Sequence, residues 1–281
     1  MLGELGEDAK VLAGGQSLIP LMKLRLARPS ALVDLNQVPR TAFIEARDGQ
    51  LRIGAMTRHS AIEDSPDAAR IPILHDCAAG IADVQVRNMG TIGGSVAEAD
   101  PHGDWAPVLI AAKAEIECVG PAGVRTVPIA KFITDAFTTV LGSTELVREI
   151  RVPNPGGRHA GAYIAFKRCA PVYPTASAAV QVNMLDEDFC EDASVVLGCV
   201  GLTPVVATEA AAALRGQAIT PHAIERAAEA AMAAADPQPD LRGSVDYKRL
   251  LVRVLTRRAL LAALARARGE RVEVAHEYVG R

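Results

Sequence analysis

Val11-Leu-Ala-Gly-Gly-Gln-Ser-Leu-Ile-Pro-Leu-Met22 begins as a short apolar strand, breaks at two adjacent glycines and resumes with Leu and Met at helical spacing. Pro20 falls in the first turn of that helix, where its missing N–H is tolerated. A related pattern recurs at Thr91-Ile-Gly-Gly-Ser-Val96. Each stretch has an apolar lead, a glycine pair and a serine within two residues. Adjacent glycines permit φ > 0 and close approach of the backbone to a ligand. Successive N–H groups in such a turn form a concave anion site, to which a serine hydroxyl adds a donor. At the first stretch the helix that follows presents an N-terminal end of roughly +0.5 charge. Two such loops can clamp a pyrophosphate without Arg or Lys, since charge-assisted hydrogen bonds contribute about 1.5–3 kcal/mol each. Neither stretch is G-x-G-x-x-G or G-x-x-x-x-G-K-[ST], so the doubly wound dinucleotide fold and the P-loop are not supported. Spacing alone therefore reaches an anion or dinucleotide site and stops there.

Outward from these stretches, the first half alternates short strands and helices. Lys10–Ala13, Ala31–Val33 and Leu146–Val152 read as strands. Arg47-Asp48-Gly49-Gln50 reads as the turn of a hairpin between Phe43–Ala46 and Leu51–Ala55. A second hairpin joins Ala114–Val119 to Val124–Pro128. Thr57 is expected to cap a helix running to about Asp64, and a helix beginning near Pro66 to end near Gly80. Asn88 to Asp104 shows little periodicity and reads as a polar loop; Asp104 is placed to cap a helix through Ala112. Composition shifts at Pro153-Asn-Pro-Gly-Gly157, a boundary signal. Beyond it, Ala160–Phe166, Ala176–Leu185 and Ala193–Val200 read as an antiparallel sheet, followed by helices at Thr208–Arg215, Pro221–Ala235 and Tyr247–Ala267. Strands then helices indicate a small α+β domain.

Composition removes several classes of function. Thirty Lys and Arg against thirty-three Asp and Glu, a net charge of −3, provide no basic face for nucleic acid. No apolar run reaches the ~18–20 residues that span a bilayer, and the acidic start Met1-Leu-Gly-Glu-Leu-Gly-Glu-Asp8 is unlike a secretory signal. The five cysteines are odd in number and scattered, with no C-x-x-C spacing, which fits small buried hydrophobes in a reducing cytoplasm and neither a zinc site nor an iron–sulfur site. His102 reads as a solvated loop residue, His59 as a first-turn helix residue and Trp105 as core. Arg257-Arg258 and Arg266, Arg268 and Arg271 read as a solvated helix face, or else a partner-facing surface.

Val11–Met22 together with Val86-Arg-Asn-Met-Gly-Thr-Ile-Gly-Gly-Ser-Val-Ala-Glu-Ala-Asp-Pro-His-Gly-Asp104 closely resembles the FAD-binding medium subunit of molybdenum hydroxylases, the group of aerobic carbon monoxide dehydrogenase and xanthine dehydrogenase. The resemblance covers nearly the whole chain. It implies an α+β protein: a FAD-binding domain of the vanillyl-alcohol oxidase (PCMH) type at 1–155, then a smaller α+β domain at 158–281 with a three-stranded antiparallel sheet and helices. Family members usually carry one more strand and helix before the first loop, whereas Met1 stands ten residues before Val11, so that part of the first domain is expected to be missing.

The resemblance also implies roles. Ala13, Gly14, Gly15, Gln16, Ser17 and Leu18 match the first pyrophosphate loop, and Thr91, Ile92, Gly93, Gly94 and Ser95 the second. Asp104 matches an acidic residue that contacts the nucleotide part of FAD, and Tyr173 an aromatic that lies against the flavin ring. Val172 replaces the Asp that relatives often carry just before that aromatic. No His or Cys lies inside either diglycine stretch, so FAD is expected to be held non-covalently. The implied partners are a small subunit with [2Fe–2S] clusters and a large subunit with the molybdenum cofactor, in a dimer of heterotrimers. Electrons would pass from the clusters through FAD to an external acceptor. No residue here is assigned as catalytic or as a metal ligand. The rivals are a self-sufficient FAD-dependent oxidoreductase on the same fold and a cofactor-free scaffolding subunit.

Overall fold

The computed structural model describes residues 2–6, 8–154, 156–274 and 277–278. Met1, where the question of the chain's start lies, and Pro155 of the boundary stretch are outside the described residues. Strand β1 (Lys10–Leu12) pairs in parallel with β2 (Leu32–Asp34). Next, β3 (Ile44–Arg47) and β4 (Gln50–Gly54) form a tight hairpin in which Asp48 and Gly49 take φ +52° and +71°. Two positive φ values in succession are what a two-residue primed turn needs, which is why Asp-Gly marks it. Strands β5 (Glu115–Gly120), β6 (Gly123–Pro128) and β7 (Leu146–Pro153) complete an antiparallel sheet of order β3-β4-β7-β5-β6.

Between the two hairpins lie the helices α2 (His59–Glu63), α3 (Pro72–Gly80), α4 (Val84–Met89), α5 (Ile92–Glu98) and α6 (Trp105–Ala111); α1 (Leu18–Lys23) precedes them. Two expectations are corrected here. Thr57 does not cap α2: its hydroxyl bonds the backbone N–H and C=O of Phe43. Asn88–Asp104 is not a loop, because most of it is α5 and the end of α4. The glycine pair hides this helix from any propensity argument, each glycine costing roughly 1 kcal/mol against alanine.

The second half builds on β8 (His159–Lys167), β9 (Ala176–Met184) and β10 (Phe189–Gly198), antiparallel to one another and extended at the edges by two-residue strands at 205–206 and 277–278. One face of this sheet, with Ala162, Ile164, Val180, Val182, Val195 and Leu197, packs under α7 (Pro221–Ala234) and α8 (Val245–Ala267). The other face, with Tyr163, Ala165, Ala179 and Val196, joins the core of the first half against α3 and α6. Both faces are buried, so the strands read as continuous apolar runs with no polar alternation.

Arg266, expected on a solvated face, is instead a buried bridge between the halves. Its guanidinium makes a two-pronged pair with Asp76 of α3 at 2.6 and 2.8 Å and donates to the Gly161 carbonyl. Arg257 and Arg268 are engaged by Glu225 and Asp188.

Candidate functional site

The first diglycine stretch connects β1 to α1. Gly15 takes φ +71°, which a side chain would strain, and its carbonyl accepts from Ile19 N at 3.0 Å to start the helix. Among the described residues, the amides of Gly14, Gly15, Gln16 and Ser17 have no acceptor, and the Ser17 hydroxyl makes no capping bond. Of these four residues only Gly14 is buried, so the donors are open to the cleft and to a ligand in it. Helix α1 has only six residues, shorter than the expected Ser17–Leu26. These amides, more than a helix dipole, are the anion-attracting element.

The loop is braced from behind. Asn36 Nδ2 donates to the Ala13 carbonyl at 3.1 Å, Arg58 Nη2 donates to Asn36 Oδ1 at 2.6 Å, and Arg58 Nη1 donates to the Met89 carbonyl. A Cβ added to Gly14 would stand 2.4 Å from the Met89 oxygen and 2.7 Å from Gly90 Cα. The bare glycine is what lets the first stretch press against the segment leading into the second.

The second stretch is built differently. It is the opening turn of α5, with Thr91 as N-cap accepting from Gly94 N at 3.1 Å. Ile92 N donates to the Thr57 carbonyl and Gly93 N to the Ala55 carbonyl, at 3.1 and 2.9 Å. The expected concave nest of free amides is therefore absent at this stretch, because its donors are already used to dock α5 on the strand edge. Ile92 and Gly93 are buried behind the wall. Gly94 and Ser95 are the residues that face outward, and a Cβ on Gly94 would come within 3.5 Å of the Ala13 Cβ. The Ser95 hydroxyl has no partner among the described residues.

The two stretches thus form opposite walls of one open cleft of about 280 Å³. Ala13, Gly14, Gly15, Gln16, Ser17, Leu18, Thr91, Gly94, Ser95, Asp104 and Tyr173 line it together; Ile92 and Gly93 do not. Asp104 stands at the N-cap position of α6 but makes no capping bond. Its Oδ1 instead accepts from the Tyr163 hydroxyl at 2.7 Å and lies 3.7 Å from Lys167 Nζ. Tyr173 is 43% exposed at the rim, its ring 6.0 Å from that of His102. Asp100 beside it is opposed by burial, yet hydrogen bonds from His102 and Tyr173 outweigh that and hold its carboxyl below the usual range. Burial, and then the same carboxylate, push the Tyr173 hydroxyl well up. Glu98, next along the wall, is raised by burial and then by Asp100.

Sequence reasoning missed Asn36, Arg58 and Lys167, and treated His59 only as a helix residue. Lys167 is 1% exposed with its ammonium on the Gly80 carbonyl, and it reaches the cleft from β8. A lysine ending an apolar strand was the one local sign of it. Among the described residues no group of three or more His, Cys, Asp or Glu side chains could hold a metal ion, and no helix is long and apolar enough to cross a membrane. The glycine cradle, the free amides of the first stretch and the space between the walls fit an elongated ligand carrying a diphosphate.

The family described as the FAD binding domain in molybdopterin dehydrogenase matches residues 1–155, and the CO dehydrogenase flavoprotein C-terminal domain matches residues 161–263. The carbon monoxide dehydrogenase medium chain of Hydrogenophaga pseudoflava is 40% identical over 95% of this chain and 93% of its own length. Subunit alpha of the 6-hydroxypseudooxynicotine dehydrogenase complex of Paenarthrobacter nicotinovorans is 36% identical over 98% and 94%. Among solved structures, carbon monoxide dehydrogenase from Hydrogenophaga pseudoflava superposes with a TM-score of 0.91 at 42% identity, covering 94% of this chain and 92% of that one. Quinoline 2-oxidoreductase from Pseudomonas putida 86 superposes at 0.88 and 32% identity, covering 95% and 92%.

Proposed function

The chain belongs to the family of FAD-binding medium subunits of the carbon monoxide dehydrogenase and xanthine dehydrogenase type, and on that premise we propose that it relays electrons from the iron–sulfur clusters of a partner subunit through FAD to an external acceptor. It is an oxidoreductase subunit with an FAD-binding domain. The observation that supports the cofactor part of this reading is the convergence of both diglycine stretches on one open cleft, with four amides left without acceptors among the described residues, and the relay part rests on the family. Bound FAD would supply one- and two-electron redox chemistry. The chain's own work is binding and orientation. Gly14–Ser17 offer amides to the diphosphate, Gly94 and Ser95 close the opposite wall, Asp104 faces the nucleotide part, and Tyr173 lies at the rim for the flavin ring. Residues 1–155 form the FAD-binding domain and 158–281 the second domain in this reading. The partners are a small [2Fe–2S] subunit and a large molybdenum subunit, in a dimer of heterotrimers in the cytoplasm.

Co-expression with an iron–sulfur chain and a molybdenum chain of the same family tests the proposal. The expected result is one complex whose FAD loses its yellow absorbance when the substrate of the molybdenum chain is added. Turnover of a substrate by the isolated chain, or failure of any iron–sulfur chain to bind it, would replace the relay with a self-sufficient oxidoreductase.

A further inference from the structure

His59 opens α2, and its imidazole is 5% exposed beneath the Gly90–Thr91 segment. Trp105 Nε1 donates to His59 Nδ1 at 3.1 Å. An indole N–H can only donate, so Nδ1 must present its lone pair and the proton of the neutral ring must sit on Nε2. Nε2 has no acceptor among the described residues, and it is not one of the side-chain atoms sealed from solvent without a partner. Its free side is the cleft, which His59 lines. The position is specific. A Cβ on Gly90 would stand 2.7 Å from Nε2, and a Cβ on Gly14 would stand 2.7 Å from Gly90 Cα, so Gly90 stands between the imidazole edge and the first stretch, and all three line the same cleft. Burial first, then the charges of Arg58 and Arg87, hold the ring neutral, with its pKa down to about 3. The site therefore offers an N–H without placing a buried charge there when the ligand is away.

We propose that His59 is a hydrogen-bond donor to the diphosphate of the bound dinucleotide, with its tautomer fixed by Trp105 acting as a positioning residue. This rests on the reading of the cleft as an FAD site.

The test uses the full chain labelled with ¹⁵N histidine, stripped of cofactor and titrated with FAD, ADP or riboflavin. The expected result is a single tautomer protonated on Nε2, whose resonance moves on adding FAD or ADP and stays put with riboflavin. His59→Phe is expected to weaken FAD binding about tenfold, the effect of one hydrogen bond to a charged acceptor. His59→Gln, which keeps a donor, recovers part of it. Trp105→Phe admits the second tautomer and weakens binding about threefold. A loaded protein whose Nε2 resonance matches that of the stripped one would overturn the proposal even if the Phe variant failed to fold. So would His59→Phe protein binding FAD as tightly as the wild type, or a resonance moved by riboflavin. Wild-type protein that takes up no FAD at all would overturn the cofactor reading along with it.

Discussion

At Gly15 the chain turns through φ +71° and leaves the amides of residues 14–17 without acceptors among the described residues, whereas at Gly94 it is already helical and the amides of Ile92, Gly93 and Gly94 are all bonded within the protein. The two glycine pairs look like copies in the sequence, yet they answer different physical needs. In the first, glycine supplies a left-handed turn and exposes donors. In the second, it supplies room: Gly93 lets α5 lie directly on Ala55, and Gly94 leaves the space opposite Ala13 open. One wall of the cleft attracts an anion, and the other sets the width. Sequence reads both stretches as nests of free amides; in the structure only the first is one.

Substitutions can break that asymmetry, the most disruptive at Gly93. A Cβ there would lie 2.4 Å from the Ala55 Cβ and 2.7 Å from its carbonyl oxygen, backbone that cannot step aside. Gly93→Val is expected to cost about 3 kcal/mol or more, with loss of soluble, cooperatively melting protein. Thermal unfolding checks this. Gly15→Val meets mainly the flexible Ile19 side chain, so its strain is about 1–2 kcal/mol and the protein should fold. It should nonetheless lose FAD by a hundredfold or more, since the turn that aims the free amides is gone. The ratio of flavin to protein after gel filtration reads it. If Gly15→Val melts out while Gly93→Val keeps its fold and loses only FAD, the assignment of the two walls is reversed. The smallest effect is at the helix cap. Thr91→Ala removes the bond from Gly94 N and should lower stability by about 1 kcal/mol, leaving FAD affinity within a few-fold. A larger loss of affinity than of stability would mean that the Thr91 hydroxyl contacts the ligand.

The first wall was legible because its signals are local: an apolar strand, two glycines, then Leu and Met at helical spacing. The hairpin at Asp48-Gly49 was legible for the same reason. The second wall was not. Glycines in a helix erase its periodicity, and what holds α5 is its contact with Ala55 and Thr57, more than thirty residues away in sequence. The floor and brace were hidden for a related reason. Asn36, Arg58 and Lys167 look like ordinary surface residues until the fold brings Ala13, Met89 and Gly80 to them. Arg266 reads as part of a solvated stripe because its partner Asp76 is 190 positions earlier. Residues whose function depends on a distant neighbour leave no pattern at a fixed spacing.

The most direct measurement follows the backbone amides of both stretches by NMR as FAD is added to the stripped, full-length protein. Charge-assisted hydrogen bonds to a phosphate shift an amide strongly, whereas an amide already bonded to a carbonyl has little left to change. The expected result is large downfield shifts for Gly14, Gly15, Gln16 and Ser17 and small ones for Ile92 and Gly93. Equal shifts in the two stretches, or larger ones at Ile92 and Gly93, would contradict the account.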